Sequence, residues 1–201
     1  MIRALLFDLG NVLLYFSHRR ACEQIGQLCG VEADRIWQIV FESGLEWEYE
    51  AGRMTTEQFH QRFERAVGRA VPLDQLTLAG CDIFWPNPSI EPVVRRLGEI
   101  GRRLVLLSNT NAAHFAFVER KYPILQAFPR RVLSYEVGAC KPDPKIFEAA
   151  AEAAGCPPAE CFYVDDIPEY VSAARQLGFD AVVYGNTPTL IQELARRQIN
   201  V

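Results

Sequence analysis

Polar residues follow three short apolar runs of the sequence, at the point where each run ends. They are Asp8, then Ser108 with Asn109, then Asp165 with Asp166. Carboxylates that end two neighbouring strands can share a hard divalent cation, and magnesium prefers such oxygen ligands. A carboxylate of this kind can also act as a nucleophile towards phosphorus. The pattern therefore indicates phosphoryl chemistry at one edge of a sheet.

Asp8 is the predicted nucleophile. Its attack on phosphorus would give an aspartyl-phosphate, which water then hydrolyses. The bound cation and Lys141, which lies in a short loop before a proline-started helix, would offset the charge on the transferring phosphoryl group. Ser108 and Asn109 would donate hydrogen bonds to its oxygens. Because phosphoryl transfer depends mainly on positioning and charge compensation, this small set of residues could suffice.

The apolar runs that carry these residues predict buried strands. Continuous apolar runs, rather than alternating ones, fit strands that are covered on both faces of a parallel sheet. Helical patterns separate the runs, so the chain is predicted to form an α/β fold with a doubly wound, Rossmann-like parallel sheet. Ligands of such sheets bind outside the carboxyl ends of the strands. The predicted strands are 2–7, 103–107, 131–134, 161–164 and 181–184.

A helical segment, residues 16–86, interrupts this alternation. It contains no run that predicts a strand, and Gly52 followed by Thr55 and Gln58 is typical of a helix end and then a capping box. Inserted directly after the first strand, the segment would lie over the carboxyl end of that strand. Its helices are predicted around 19–28, 32–43, 56–67 and 73–83.

The sequence therefore predicts two domains. The Rossmann-like core comprises 1–15 and 87–201, and the all-helical cap comprises 16–86. Substrate contacts are expected from the cap, where Trp47, Tyr49 and Arg53 are candidates because aromatic rings and an arginine suit a sugar or a phosphate. Packing within the cap, with an exposed arginine at a helix end, is the alternative interpretation of these three residues.

The composition suits a globular protein and excludes some partners. Of 201 residues, 49% are hydrophobic and 23% are charged, with a formal net charge of −4. This charge argues against a nucleic-acid binder, which normally carries a basic face. No run approaches the roughly 20 apolar residues of a membrane helix, and the six cysteines form no CxxC pair, so reduced, packed thiols are expected. We predict a cytoplasmic protein without nucleic-acid or membrane partners, either a monomer or a homodimer.

Four motifs resemble those of the haloacid dehalogenase superfamily, in the branch with a helical cap after the first strand. The resemblance spans about 2–186 and implies a phosphatase that uses Mg²⁺ and takes a small phosphorylated substrate, with a sugar phosphate favoured. The motifs are similar in particular to those of bacterial α-D-glucose-1-phosphate phosphatases. They are FDLGNVL (7–13), LLSNTN (106–111), CKPDPKIF (140–147) and FYVDDIPEYVSAARQLG (162–178).

The resemblance also implies roles for single residues. Asp8 matches the family's nucleophile, Ser108 its phosphate-binding Ser/Thr, and Lys141 the lysine of its third motif. Asp166 matches the metal ligand of the fourth motif. The carboxylate of Asp8 and the backbone carbonyl of Gly10 would bind the same ion.

The sequence departs from the family pattern at two positions. Most phosphatases of the family have a second Asp, acting as general acid and base, where this sequence has Gly10, and such catalysis is typically worth about 10²–10⁴-fold. His114 is the first candidate to replace that acid, and a capping or supporting role is the alternative. Tyr170 stands where the fourth motif often has Asp or Asn, so Asp165 or Glu169 would complete the metal site.

Two other functions fit parts of the sequence. A haloacid dehalogenase directs an Asp nucleophile at carbon, without metal and without the second Asp, which would fit Gly10. The pair Asp165 and Asp166 favours the phosphatase, because these carboxylates would place uncompensated negative charge beside the nucleophile unless a cation were bound. A protein that binds a phosphorylated ligand or protein partner, with little turnover, is the third hypothesis.

Overall fold

Seven strands are present, five of them in a parallel central sheet, in a computed structural model that describes residues 1–201. The strands are β1 (Ala4–Phe7), β2 (Leu14–Phe16), β3 (Phe84–Pro86), β4 (Arg103–Ser108), β5 (Arg130–Leu133), β6 (Cys161–Asp165) and β7 (Asp180–Val183). The central sheet has the order β5-β4-β1-β6-β7. All five predicted strands are found, and the doubly wound, Rossmann-like fold is confirmed.

Eleven α-helices surround and extend this sheet. A π-helical turn, Gln38–Glu42, continues the second of them. None combines the length and the apolar character needed to span a membrane. All six cysteines are buried and unpaired, as expected. The helices are α1 (His18–Cys29), α2 (Ala33–Trp37), α3 (Leu45–Glu50), α4 (Thr56–Val67), α5 (Leu73–Cys81), α6 (Glu91–Glu99), α7 (Ala112–Lys121), α8 (Ser134–Val137), α9 (Pro144–Ala154), α10 (Pro168–Gln176) and α11 (Thr187–Arg196).

Alternate residues of β1 pack on opposite faces of the central sheet. Leu5 and Phe7 belong to one hydrophobic core, which α6, α7 and α11 cover. Ala4 and Leu6 belong to a second core, which α9 and α10 cover. Because neighbouring residues of a strand point to opposite faces, a strand buried on both sides must be apolar throughout. This is the physical reason for the continuous apolar run before Asp8.

The helical segment 16–86 has a separate hydrophobic core, to which Cys22, Ile36 and Phe63 contribute. The capping box at the start of α4 is confirmed. Two features differ from the sequence prediction. The short helix α3 was not expected, and β2 pairs with β3 as a two-stranded antiparallel ribbon where the chain enters and leaves the segment. Strands of three residues are too short to show a periodic pattern in the sequence.

The strand β1 is the point at which the chain changes direction across the sheet. From β1 the chain continues to β4 and β5 on one side, and then crosses to β6 and β7 on the other. Ligands of open α/β sheets bind at such a switch point, outside the carboxyl ends of the strands. Asp8, Ser108 and Asp165 lie at the carboxyl ends of β1, β4 and β6, so the fold gathers the three polar sets at one edge.

Candidate active site

Lys141 links the carboxylates at the carboxyl ends of β1 and β6. Its Nζ donates to Asp8 Oδ1 at 2.7 Å and to Asp165 Oδ2 at 2.7 Å. A third, longer hydrogen bond of 3.3 Å goes to the carbonyl oxygen of Leu107. The lysine side chain is 1% exposed. A buried ammonium group is stable only when it is paired and hydrogen-bonded, and these three acceptors meet that condition.

The charges in this cluster act on one another. Burial opposes the positive charge of Lys141, but Asp8 and Asp165 outweigh it and raise the pKa of the lysine, which keeps it protonated. Burial raises the pKa of Asp8, and Lys141 opposes that effect. Burial also raises the pKa of Asp166. One lysine therefore faces three carboxylates, and the excess of negative charge favours a bound cation.

The oxygen atoms of this cluster suit magnesium. Asp8, Asp165 and Asp166 each bring a carboxylate oxygen within 4.8 Å of the others, and an all-oxygen set of carboxylates is what Mg²⁺ prefers. Asn11, to which the sequence analysis gave no role, donates its amide to Asp166 Oδ2 at 3.0 Å and so orients that carboxylate. Glu169 is exposed and lies outside the cluster.

Within the cluster, Asp165 is engaged by protein donors on both carboxylate oxygens. Its Oδ1 accepts a hydrogen bond from the backbone N–H of Ile167 at 2.8 Å. Its Oδ2 accepts from Lys141 and also from the hydroxyl of Tyr163. The side chain is fully buried and is not part of the cavity wall described below. The Asp165 carboxylate is therefore held by Lys141, and its predicted role as a metal ligand stays a prediction.

The predicted phosphate-binding pair, Ser108 and Asn109, separates into two roles. The Ser108 hydroxyl donates only a long hydrogen bond of 3.2 Å, to the carbonyl oxygen of Asn109, which an incoming phosphate oxygen can replace. The Asn109 amide instead donates to the carbonyl oxygen of Lys141 at 3.1 Å and accepts from the Lys141 N–H at 2.7 Å. These two bonds fasten the Lys141 loop to the end of β4. The Asn109 side chain therefore positions Lys141. Asn109 also lines the cavity described below, and its contact with phosphate stays a prediction.

Gly10 cannot carry a longer side chain without a rearrangement. A Cβ atom added there would lie 2.7 Å from Cε1 of Phe16, closer than non-bonded carbon atoms pack. The Phe16 ring is held by its neighbours His18 and Phe84, with ring centroids at 4.9 and 5.9 Å. The ring thus takes the space that an acid at position 10 would need, and Gly10 and Phe16 form one packing arrangement.

A cavity of about 170 Å³ opens beside Asp8. The core side of its wall carries the charged groups, while the helical segment contributes two rings, one histidine and one carboxyl group. The principal lining residues are Asp8, Ser108, Lys141, Asp166 and Tyr170 from the core and Phe16, His18, Glu50 and Phe84 from the helical segment.

The three residues predicted to contact the substrate do not line this cavity. Trp47 is 50% exposed, and its ring packs against Arg53, whose Cζ lies 4.0 Å from the ring centroid. Tyr49 is buried, and its hydroxyl bonds Thr56 Oγ1 at 2.6 Å and a backbone N–H of α7. Residue type gave no information about which face of α3 points to the core. Glu50, at the end of this helix, lines the cavity instead.

His114, the first candidate for the missing acid, is fully engaged. Its Nε2 lies 3.1 Å from the carbonyl oxygen of Gly80, and its Nδ1 lies 3.1 Å from the amide nitrogen of Asn111. Because a carbonyl only accepts and an amide NH₂ only donates, Nε2 carries the proton and Nδ1 accepts. Burial lowers the pKa of His114 to about 4. The ring is therefore neutral at pH 7 and supports the start of α7, where Asn111 caps the helix.

Gly52 brings the end of α3 against the core. Its backbone is left-handed, with φ of +69°, and an added Cβ atom would lie 2.2 Å from the carbonyl oxygen of Tyr135 in α8. Only glycine combines this conformation with so close an approach to another backbone. Because Glu50 lies two residues earlier, this contact also fixes the position of Glu50 above the edge of the sheet.

Replacing Gly52 with Ala is expected to lower the free energy of unfolding by about 2–4 kcal/mol, because left-handed strain adds to overpacking. Urea denaturation measures the loss. Gly68→Ala is the matched control, since Gly68 also follows a helix with positive φ but has no atom within 4 Å of an added Cβ. The control should lose only about 1–2 kcal/mol from strain. Equal losses in the two variants would contradict the close contact.

Comparison with known proteins gives the class to which this fold and site belong. A model of the haloacid dehalogenase-like hydrolase family matches residues 2–178. The chain therefore belongs to this family and is a hydrolase, as the four motifs predicted.

Two of the similar proteins that cover most of this chain are named as phosphatases. D-Ribitol-5-phosphate phosphatase of Bacteroides thetaiotaomicron is 27% identical over 96% of this chain and 97% of its own length. Glyceraldehyde 3-phosphate phosphatase of Methanopyrus kandleri is 28% identical over 90% of this chain and 83% of its own. A haloacid dehalogenase family enzyme of Bacteroides thetaiotaomicron, solved with magnesium and inorganic phosphate, superposes with a TM-score of 0.81 at 28% identity, covering 91% of this chain and 94% of that one. The narrower likeness to α-D-glucose-1-phosphate phosphatases stays a prediction.

Proposed function

We propose that the protein is a magnesium-dependent phosphatase that hydrolyses a small phosphorylated metabolite through an aspartyl-phosphate on Asp8. The arrangement of Asp8 carries this proposal. Lys141 holds one oxygen of the carboxylate at 2.7 Å, and the other oxygen has no hydrogen-bond partner in the protein. The residue lines a small cavity at the switch point of the sheet. A carboxylate that is oriented on one side and free on the other can attack phosphorus.

The surrounding residues have complementary roles in this proposal. Lys141 places positive charge beside the phosphoryl group, and the Ser108 hydroxyl donates to one of its oxygens. Asp165 and Asn109 hold Lys141 in place from its two ends, the ammonium group and the backbone. Asp8, Asp166 and the Gly10 carbonyl would hold Mg²⁺, which supplies charge neutralisation when bound.

The substrate class follows from the cavity and the relatives. The cavity of about 170 Å³ has charged groups at its core side, which suits a phosphate attached to a short organic part. The names of the relatives specify the phosphates of a sugar alcohol and of a three-carbon aldehyde. We propose a sugar or sugar-alcohol phosphate as the substrate, and the helical segment 16–86 as a cap domain that covers it.

The test is phosphate release from a panel of small phosphate esters and from p-nitrophenyl phosphate, with Mg²⁺ and with EDTA. We expect turnover that needs Mg²⁺. Dechlorination of 2-chloropropionate in EDTA would contradict the proposal and would indicate a haloacid dehalogenase. Tight binding of phosphate esters without turnover of any of them would favour the third hypothesis, a protein that binds a phosphorylated ligand. The excess of carboxylates over lysine around Asp8 argues against the dehalogenase, since a site without metal would leave that charge uncompensated.

Asn11→Gly is expected to raise the Mg²⁺ concentration for half-maximal activity by about 10–100-fold, because Asp166 loses the donor that orients it. Asn11 has a left-handed backbone, with φ of +53°, so glycine removes the amide without adding strain. Titrating activity with MgCl₂ measures the shift, and saturating Mg²⁺ should restore most of the rate. An unchanged Mg²⁺ requirement would contradict the role of Asn11 in orienting Asp166.

A further inference from the structure

The carboxyl group of Glu50 lies at the cavity without a partner in the protein. The residue ends α3 and lines the cavity together with Asp8 and Lys141. Glu50 is partly buried, and its carboxyl group makes no hydrogen bond to another residue. By contrast, Glu46, one turn earlier on the same helix, is tied to the Asn111 amide at 2.8 Å and lies outside this cavity. The Glu50 carboxyl is therefore available to a ligand.

The position of Glu50 matters because phosphoryl transfer is an in-line displacement. The attacking and leaving oxygens lie on opposite sides of phosphorus. Asp8 attacks from the edge of the sheet, so the leaving oxygen points away from the core and towards the helical segment. Among the residues that this segment contributes to the cavity wall, Glu50 is the only carboxyl group. Gly10, where the family's usual acid would stand, has no side chain.

Protonation separates Glu50 from the two histidines near the cavity. Burial lowers the pKa of both His18 and His114 to about 4, so neither ring is in the imidazolium form that could act as a general acid at neutral pH. Burial, reinforced by Glu46 and opposed by Lys141, raises the pKa of Glu50 to about 8. Glu50 therefore carries a proton at neutral pH. Burial and, in turn, the charge of Glu50 raise the pKa of Cys140 and of Tyr170, so these two groups also lie near Glu50.

We propose that Glu50 is the general acid and general base of the reaction, in place of the side chain missing at Gly10. The inference rests on the proposed phosphatase function. In the first step, an oxygen of Asp8 bonds to phosphorus, the ester P–O bond breaks, and protonated Glu50 gives its proton to the leaving alkoxide. In the second step, water attacks phosphorus from the side that the alkoxide has left, opposite Asp8, and loses a proton to ionised Glu50. The Asp8–phosphorus bond breaks, and inorganic phosphate leaves.

The test compares Glu50→Gln with the wild type on two esters of different leaving group. For glycerol 3-phosphate, whose alkoxide must be protonated as it leaves, kcat/KM is expected to fall by about 10²–10⁴-fold. For 2,4-dinitrophenyl phosphate, whose phenolate leaves without a proton, it should stay within about 10-fold. The quantity kcat/KM is used because it reports the step that breaks the ester bond even if hydrolysis of the aspartyl-phosphate limits kcat.

The pH dependence gives a second readout. A general acid works only when protonated, so wild-type kcat/KM on glycerol 3-phosphate should decline as pH rises through the pKa of Glu50, and the variant should lack this alkaline limb. Glu46→Gln is the matched control, because it keeps the hydrogen bond from Asn111 through its amide oxygen. It should keep the wild-type kcat/KM on the acid side of the limb, and the limb should move to lower pH, because the charge of Glu46 that helps to raise the pKa of Glu50 is gone.

The outcomes separate this inference from the proposed function. Equal losses on both esters in Glu50→Gln, or an unchanged alkaline limb, would overturn the role of Glu50 while leaving the phosphatase intact. A wild type that hydrolyses neither ester would overturn the phosphatase itself. The variant should fold, since glutamine has the same shape and the carboxyl group has no protein partner to lose. A Tm at or above that of the wild type at pH 8 would show that the loss of activity is not a loss of structure.

Discussion

Asp8→Asn is expected to reduce phosphate release by about 10⁴-fold or more, because the amide that replaces the carboxylate is not a nucleophile. The fold should survive, since an amide oxygen at the same place can still accept the hydrogen bond from Lys141. Steady-state assays with Mg²⁺ measure the loss. Asp74→Asn, on the exposed side of α5, is the control and should retain wild-type activity.

A loss of rate alone would not separate a nucleophile from a metal ligand, since Asp8 is proposed to be both. The covalent intermediate makes the distinction. Rapid acid quenching of the wild type during turnover, followed by mass spectrometry of the peptide that contains Asp8, should show the addition of one phosphoryl group. Hydroxylamine should remove it, as expected for an acyl phosphate. Absence of this adduct under conditions where the alcohol of the ester is released in a burst would contradict the proposed mechanism.

Lys141→Met is expected to lower the free energy of unfolding by about 3–5 kcal/mol, because it leaves the buried carboxylates of Asp8 and Asp165 without their shared counter-ion. Activity should be lost as well, since the phosphoryl group would meet uncompensated negative charge. Urea denaturation at neutral pH measures the stability. Lys145→Met, four residues later on the exposed start of α9, should change it by no more than about 0.5 kcal/mol.

The sign of the pH dependence gives a check on this ion pair. Asp8 and Asp165 raise the pKa of Lys141 above its ordinary value. The stability that the lysine contributes is therefore present at neutral pH and is lost only as pH rises through its raised pKa. At neutral pH the wild type should exceed Lys141→Met in stability, and the difference should narrow in strong alkali. A difference that is independent of pH would indicate a packing effect of the lysine chain instead of its charge.

The sequence was sufficient for the sheet and for the position of the site. A strand covered on both faces must be apolar throughout, so each of the five parallel strands is visible as a run, and the polar residues that end the runs must meet at one edge. The helical segment was also visible in the sequence, because its apolar residues recur with the period of a helix. The short ribbon of β2 and β3 and the helix α3 were not, because elements of three to six residues carry too little periodicity.

The roles of individual polar side chains were harder to predict. Asn109 has the residue type of a phosphate donor, yet its amide is used on the backbone of Lys141, 32 positions away in the chain. Asp165 has the type of a metal ligand, yet both its oxygens are engaged by protein donors. Such pairings depend on which loops pack together. Sequence spacing does not contain that information when the partners are distant.

The sequence by itself determined that Asp8 would end the first strand, that Lys141 would lie near it, and that the usual acid would be missing at Gly10. These are properties of residue type and of the order of strands. Only the tertiary structure decided which side chain of α3 faces the cavity. The packing of α3, fixed by the approach of Gly52 to the core, turns Tyr49 inward and brings Glu50 to the cavity. A rotation of one residue along a helix, about 100°, exchanges the two, and only packing between distant parts of the chain sets it.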